Sequence, residues 1–385
     1  MTSALTLEQL LNQRSAPGLL YEKLEGQRVQ CHACAHRCRI PEGKKGVCKV
    51  RYNEKGTLRV PGRYVGALQD DPIEKKPFFH ALPGARALSF GMLGCDYHCD
   101  YCQNWITSQA LRDPASEDSG ARPRDISAGE LVALALDRKC QVVTSTYNEP
   151  LITSEWAVEV FKPARAKGLL TSYVSNGNDT KEVLEFIRPW VDLYKVDLKT
   201  FNDRTYRKNM GGTLAPVLET IERLKAMGFW LEIVTLIVPG LNDSEQELGE
   251  MAKFIASISK DIPWHVTAFH PDYKMADRLW TDPQKLNVSY QIGKAAGLRY
   301  VYSGNRPGEV GPTENTDCPS CGELLIERVG FQVIQNNLGP RGLCPKCSTA
   351  IPGVWSVPNR DPNPIKTIEL TPLAEKAIKA TSAAN

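Results

Sequence analysis

Residues 88–105 read LSFGMLGCDYHCDYCQNW, a short apolar run followed by three cysteines, Cys95, Cys99 and Cys102, within eight residues. The run LSFGML has the length and composition of a buried strand. The cysteines that follow are spaced CxxxCxxC, so a tight loop leaving a strand carries three thiols. Three thiolates can hold three irons of a cubane cluster and leave the fourth iron open, whereas a closed zinc site needs a fourth protein ligand, for which His98 is the neighbouring candidate. An open iron can bind a small chelating molecule and pass it an electron. Three core cysteines, or zinc with His98, are the plain alternatives.

The same strand opens a repeating pattern. From about residue 87 to residue 305 the runs LSFGML, QVVTSTY, LLTSYVSNG, LYKVDLK, LEIVTLIVPG, HVTAFH and LRYVYSGN read as seven largely buried strands. Helical segments lie between them: SAGELVALAL, opened by a capping box from Ser127 to Glu130, then TKEVLEFI, LETIERLKAMG and SEQELGEMAKFIASI. This alternation predicts an α/β fold, a partial or full (β/α) TIM-type barrel, with chemistry at the C-terminal ends of the strands. The stretch 110–125, rich in Pro, Ser, Gly and charge, predicts a mobile loop, either solvated or a lid.

A chain of 385 residues has room for small modules around such a barrel. The expected division is an N-terminal cysteine-rich module over 1–80, the barrel over 81–310, a four-cysteine module over 311–358 and a tail over 359–385. The balance of 47 basic and 44 acidic residues gives no field that argues for a nucleic-acid partner. No basic stretch followed by an apolar run stands at the N-terminus and no segment has the ~18 apolar residues of a membrane span, which predicts a cytoplasmic protein with no membrane partner. In that reducing compartment twelve cysteines point to metal ligation or catalysis. Cys140, outside every group, reads as a buried apolar residue.

The first flanking group, CHACAHRCRIPEGKKGVCKVR, carries Cys31, Cys34, Cys38 and Cys48 in a segment too polar to hold itself together. Zinc is the expected ion, with an auxiliary iron–sulfur cluster as the alternative. Arg51, Arg59 and Arg63 beside it read as a solvated basic surface, with attraction of an acidic partner as the alternative. In the last group, Cys318, Cys321, Cys344 and Cys347 form two CxxC knuckles 22 residues apart around a plausible hairpin, the layout of a zinc ribbon. Rubredoxin-type iron would fit the same four thiolates.

A CxxxCxxC loop after the first barrel strand, with Tyr101 just before its last cysteine, resembles the radical S-adenosylmethionine (SAM) superfamily. The resemblance implies a [4Fe-4S] cluster on Cys95, Cys99 and Cys102 whose open iron binds the amino and carboxylate groups of SAM. Reductive cleavage then gives methionine and a 5′-deoxyadenosyl radical. The strand endings TSTYNEP, VSNGN, VDLK, VPGLND and FHPDYKM resemble those of the glycyl-radical activating enzymes, which include the pyruvate formate-lyase activating enzymes. By that resemblance Tyr101 flanks the cofactor, Asp197 and Lys199 address its methionine end, Asn176 lies near the ribose and His270 faces it from the sixth strand. Where those enzymes carry a Gly-Gly-Glu-type turn, this chain has Tyr147, Asn148 and Glu149. Glu149 is then the acceptor for the amino group, and Tyr147 and Asn148 serve cofactor or substrate.

The cysteine module ending in GKKGVC, the TYNEP and HPDYKM endings and the terminal ribbon ending in IPGVW resemble the AmmeMemoRadiSam system radical SAM enzymes. That resemblance implies an oxidoreductase with an electron donor such as flavodoxin or ferredoxin, a substrate that could be a protein, and Ammecr-type or Memo-type partners. Three other readings stay open: a glycyl-radical enzyme activase, transfer of a 3-amino-3-carboxypropyl radical, and a non-catalytic module whose metal sites staple RNA-binding or protein-binding surfaces.

Overall fold

Residues 5–357 are described by the computed structural model; the expected tail over 359–385 lies outside the described residues. Eight strands form the central sheet. They are β1 (Ala67–Pro72), β2 (Arg86–Gly91), β3 (Val142–Ser145), β4 (Leu170–Ser175), β5 (Leu193–Asp197), β6 (Trp230–Ile237), β7 (Trp264–Ala268) and β8 (Val301–Gly304). Strand order follows chain order, and β2 to β8 pair in parallel. All seven expected strands are present. β1 and β8 are the two edges and do not pair, so the sheet is open and the full-barrel alternative does not hold.

β1, which pairs antiparallel with β2, was not expected as a strand. Its sequence ALQDDP shows no apolar alternation, because an edge strand is buried on neither face and carries charge and Pro that blunt further pairing.

Between the parallel strands run α1 (Ala128–Asp137), α2 (Ser154–Ala166), α3 (Lys181–Ile187), α4 (Leu214–Ala226), α5 (Glu245–Ile258) and α6 (Pro283–Ala295). The Ser127–Glu130 capping box forms in full, and Thr180, Ser244 and Asp282 each accept an amide of the first turn. Each such cap is worth about 1 kcal/mol, which starts the helix where the strand-to-helix loop ends. Successive crossovers leave every loop that follows a parallel strand at one end of the sheet.

Two expectations are corrected. The stretch 110–125, expected as a mobile loop, contains the helix Pro114–Asp118 and the strand Arg124–Asp125, which pairs with Tyr64–Val65. Pro114 fixes the first helical φ and Asp113 accepts from the Ala115 amide at 3.0 Å, so turn-forming residues here build a helix start. Arg51, expected on a solvated surface, is 1% exposed. It forms a fork with Glu155 at 2.7 and 2.8 Å and donates to the Ile152 carbonyl at 3.0 Å, which fixes the N-terminal module to α2.

The C-terminal cysteines flank a hairpin of β9 (Leu324–Val329) and β10 (Gln332–Asn336). Leu325, Ile326 and Ile351 share a core with Phe79 and Tyr302, so the ribbon packs on the sheet edge. Arg328 of β9 is buried there. Its guanidinium donates to the Phe79 carbonyl at 2.7 Å and to the Thr316 hydroxyl at 2.8 Å, lies 3.7 Å from Glu74 and sits 4.3 Å from the Phe79 ring centroid. On the other side of Phe79, buried Glu232 accepts from the Phe79 and His80 amides and pairs with His265 at 2.7 Å. Replacing Arg328 with Ala leaves the Glu74 carboxylate buried without its cation. The expected cost is about 3–5 kcal/mol, read as a lower denaturant midpoint for the metal-loaded protein.

Candidate functional site

The loop from Gly94 to Asn104 leaves β2 at the end of the sheet where the parallel strands finish. This loop is fixed by bonds to its backbone and by the side chain of Asp96. Arg112 donates to the carbonyls of Tyr97 at 2.7 Å and Cys95 at 3.0 Å. The amides of His98 and Asp100 donate to the carbonyls of Met210 and Asn209, at 2.9 and 3.1 Å. Gly211 follows with φ at +74°, and a Cβ there would run into the His98 imidazole, so glycine is needed both for the turn and for the approach. His98 is thus a packing residue over Gly211. Asp96, 2% exposed, accepts from the side-chain amides of Asn176 and Asn178, each at 2.8 Å.

Cys99 and Cys102 line a cavity of about 970 Å³, and Cys95 is not among its lining residues. The volume lies at the upper end of the range for small-molecule pockets. Burial pushes all three thiols up, Cys99 to about 12, so without a metal they keep their protons. Cys102 also lies 3.2 Å from the Ser108 hydroxyl.

Opposite the thiols stand Lys195 and Asp197 of β5, with Lys199 just beyond it. Asp197 is gripped between the two amines, Lys195 on Oδ1 and Lys199 on Oδ2, the latter at 3.1 Å. Burial opposes the Asp197 charge, yet the two lysines hold its carboxyl down to about 2. Burial likewise opposes charge on Lys199, and Asp197 and Cys99 outweigh it and hold the amine well above its ordinary range. The site therefore presents a fixed cation beside the cysteine loop. Tyr101 and His270, also expected from sequence, stand in the lining too. His270 sits at the end of β7, 5.5 Å from the Trp280 ring.

Asn148, Glu149 and Asn176 lie outside the lining. The Glu149 carboxylate accepts from the Leu151 amide at 3.1 Å, the Ser175 hydroxyl at 2.8 Å and the Asn176 amide at 2.7 Å. Asn148 accepts from the Met92 amide at 2.9 Å and donates to the Glu149 carbonyl. Asn176 is committed to Asp96 and to the Asn178 amide. These residues join the ends of β2, β3 and β4 and position the cysteine loop instead of facing the cavity. Tyr147, held at φ +70°, does line it, with Lys76 5.3 Å from its ring centroid.

Sequence reading missed Lys195 and the ribbon's share of the wall. Lys195 had a signal, a charge at an inward position of an otherwise apolar strand. The ribbon had none, because Val329, Gly330, Phe331 and Gln332 reach the cavity only through tertiary docking.

At the ribbon itself the Cys318 and Cys347 sulfurs lie 3.5 Å apart and those of Cys321 and Cys344 3.7 Å apart. All four lie within 4.8 Å of one another, a four-cysteine cluster of single-ion dimensions. No helix among the described residues is long and apolar enough to cross a membrane.

Residues 91–255 match the profile of the radical SAM superfamily. An uncharacterized protein of Methanocaldococcus jannaschii is 38% identical over 322 residues, which cover 83% of this chain and 93% of that protein. The pyruvate formate-lyase 1-activating enzyme of Escherichia coli K12 is 24% identical over 57% of this chain and 90% of its own length. Among solved structures, a radical SAM methyltransferase from Sphaerobacter thermophilus aligns at 15% identity with a TM-score of 0.44, covering 70% of this chain and 76% of the other. The chain belongs to the radical SAM superfamily and is related to the pyruvate formate-lyase activating enzymes.

Membership implies SAM and a [4Fe-4S] cluster. The residues present fit both. One loop carries three thiols, two of them, Cys99 and Cys102, lining the cavity, and the lining residues Tyr101 and Ser303 carry buried hydroxyls without protein partners. Gly211→Ala should therefore lower iron and sulfide incorporation, because its Cβ displaces the His98 side of the loop. The strained φ alone should cost about 1 kcal/mol or more, and metal analysis of the reconstituted protein with a denaturation curve checks both effects.

Proposed function

We propose that this protein is a cytoplasmic radical SAM enzyme that generates a 5′-deoxyadenosyl radical and abstracts hydrogen from a substrate at the open end of the cavity. The observation that carries this reading is the meeting of Cys99 and Cys102 with the Asp197–Lys199 pair across one cavity. When bound to Cys95, Cys99 and Cys102, a [4Fe-4S] cluster supplies the electron that cleaves SAM to methionine and the radical.

The chain's own residues bind and orient. Lys199, charged and anchored on Asp197, offers a cation to the methionine carboxylate. Tyr101 packs beside the cofactor and His270 bounds its far side. Val174, Val234 and Leu236 give the cavity an apolar wall that keeps water from a reactive intermediate. The positioning of Asp96, Asn176 and Glu149 keeps the cysteine loop fixed when the cofactor enters and leaves.

A substrate larger than the cavity is favoured by the exposed aromatic rings at its edge. Trp280 is 55% exposed and lies near His270, and Phe331 in the lining is 39% exposed. A protein substrate fits that edge, and the relation to activating enzymes supports a glycyl-radical activase as the second reading. The motif pattern supports the AmmeMemoRadiSam system assignment, with Ammecr-type or Memo-type partners and a flavodoxin or ferredoxin as electron donor. Zinc is the ion we assign to Cys318, Cys321, Cys344 and Cys347.

Incubated anaerobically with dithionite and SAM, the iron–sulfide-reconstituted enzyme should release 5′-deoxyadenosine, and the variant lacking Cys95, Cys99 and Cys102 should release none. Methylthioadenosine instead would move the chemistry to the aminocarboxypropyl route, and intact SAM would remove the enzymatic reading. Lys199→Gln should weaken SAM binding by about tenfold to a hundredfold, the worth of a charge-assisted hydrogen bond, while the cluster's own absorption stays unchanged.

A further inference from the structure

Cys31, Cys34, Cys38 and Cys48 converge although they span 18 residues, and Cys31, Cys34 and Cys48 are each 5% exposed. The Cys31 amide donates to the Cys38 carbonyl at 2.9 Å, and a Cβ on Gly46, two residues before Cys48, would stand 3.5 Å from the Cys38 sulfur, so the segments that carry these cysteines are folded onto one another. Their spacing differs from that of the ribbon. One zinc ion with bonds of about 2.3 Å draws four sulfurs to about 3.8 Å of one another. The ribbon sulfurs meet that condition. Among the described residues, no three of the N-terminal cysteines have sulfurs within 4.8 Å of one another, and neither do Cys95, Cys99 and Cys102. The N-terminal set is therefore, like Cys95, Cys99 and Cys102, set wider than the single-ion ribbon, as the thiolates of a multi-iron core must be.

The surroundings suit such a core. Cys48 sits in a tight turn, closed by the Gly46 amide on the Arg51 carbonyl at 2.8 Å and the Lys49 amide on the Gly46 carbonyl at 3.0 Å. Buried Arg51 lies close enough to Cys31 and Cys48 for their charges to act on it, so a cation offsets the negative charge of the assembled site. The module also abuts the first cysteine loop. Gly94, next to Cys95, lies so close that a Cβ would stand 2.8 Å from the Cys48 carbonyl, and Arg112 joins the Val47 and Cys95 carbonyls at 2.7 and 3.0 Å.

We propose that Cys31, Cys34, Cys38 and Cys48 hold a second iron–sulfur cluster, closed by four thiolates and seated beside the loop of Cys95, Cys99 and Cys102. Of the two occupants open to that site from sequence, this selects the cluster over zinc. The proposal stands independently of SAM cleavage, because four protein ligands leave no open iron.

The test is metal and sulfide analysis with Mössbauer spectroscopy on the full-length Cys95→Ala/Cys99→Ala/Cys102→Ala variant, reconstituted anaerobically with iron and sulfide. Retention of iron with matching acid-labile sulfide, lost when Cys34→Ser and Cys38→Ser are added while the ribbon ion remains, is the expected result. A sulfide-free triple variant, whether its N-terminal site holds zinc or nothing, overturns the proposal. Should the triple variant fail to fold, Cys34→Ser alone in the otherwise intact enzyme must lose part of the sulfide and keep the SAM-dependent change in the first cluster's paramagnetic signal. Full sulfide retention in that variant overturns it equally.

Discussion

A single buried carboxylate, Asp96, ties the molecule's parts to the loop where its chemistry is set. Asp96 stands in the cysteine loop between Cys95 and Cys99 and reaches to the end of β4, where Asn176 and Asn178 both donate to it. Asn178 in turn accepts the Ala35 amide at 2.9 Å, so the N-terminal module is anchored to the same point. Hydrogen bonds to a charged group contribute about 1.5–3 kcal/mol each, and a buried carboxylate without them would cost more than they give. The loop, the fourth strand and the cysteine module consequently stand or fall together.

Much of this fold could be read from the chain because the parallel strands are buried on both faces. Their runs are short, apolar and separated by amphipathic helices, and Ser127, Thr180 and Ser244 mark helix starts by local chemistry alone. β1 escaped because edge strands need no apolar pattern. Closure of the barrel is likewise absent from any local signal, since it depends on whether the two edges meet.

The site was legible to the extent that its residues act through their own type. Cysteine spacing named the loop, and the VDLK ending named Asp197 and Lys199. Asn148, Glu149 and Asn176 show the limit: polar residues at strand ends look alike in sequence whether they face a ligand or brace a turn. Their hydrogen bonds run to sequence neighbours such as Leu151 and Asn178 and also to Met92, Ser175 and Asp96, and the long-range partners leave no mark in the local sequence. The three cysteine groups make the same point. Their ligand counts are readable, but the distances that separate a single ion from a cluster come from how the segments are laid against one another.

The hairpin turn of the ribbon, Val329 to Gln332, is also a piece of the cavity wall. In chain order that stretch of wall follows the sheet and both earlier cysteine groups. A chain whose ribbon is not docked on the sheet edge would lack that side of the cavity wall and expose Cys99 and Cys102 to solvent and oxygen. On the proposed reading, ion capture at the C-terminal knuckles and closure of the chamber in which the radical would form become one event.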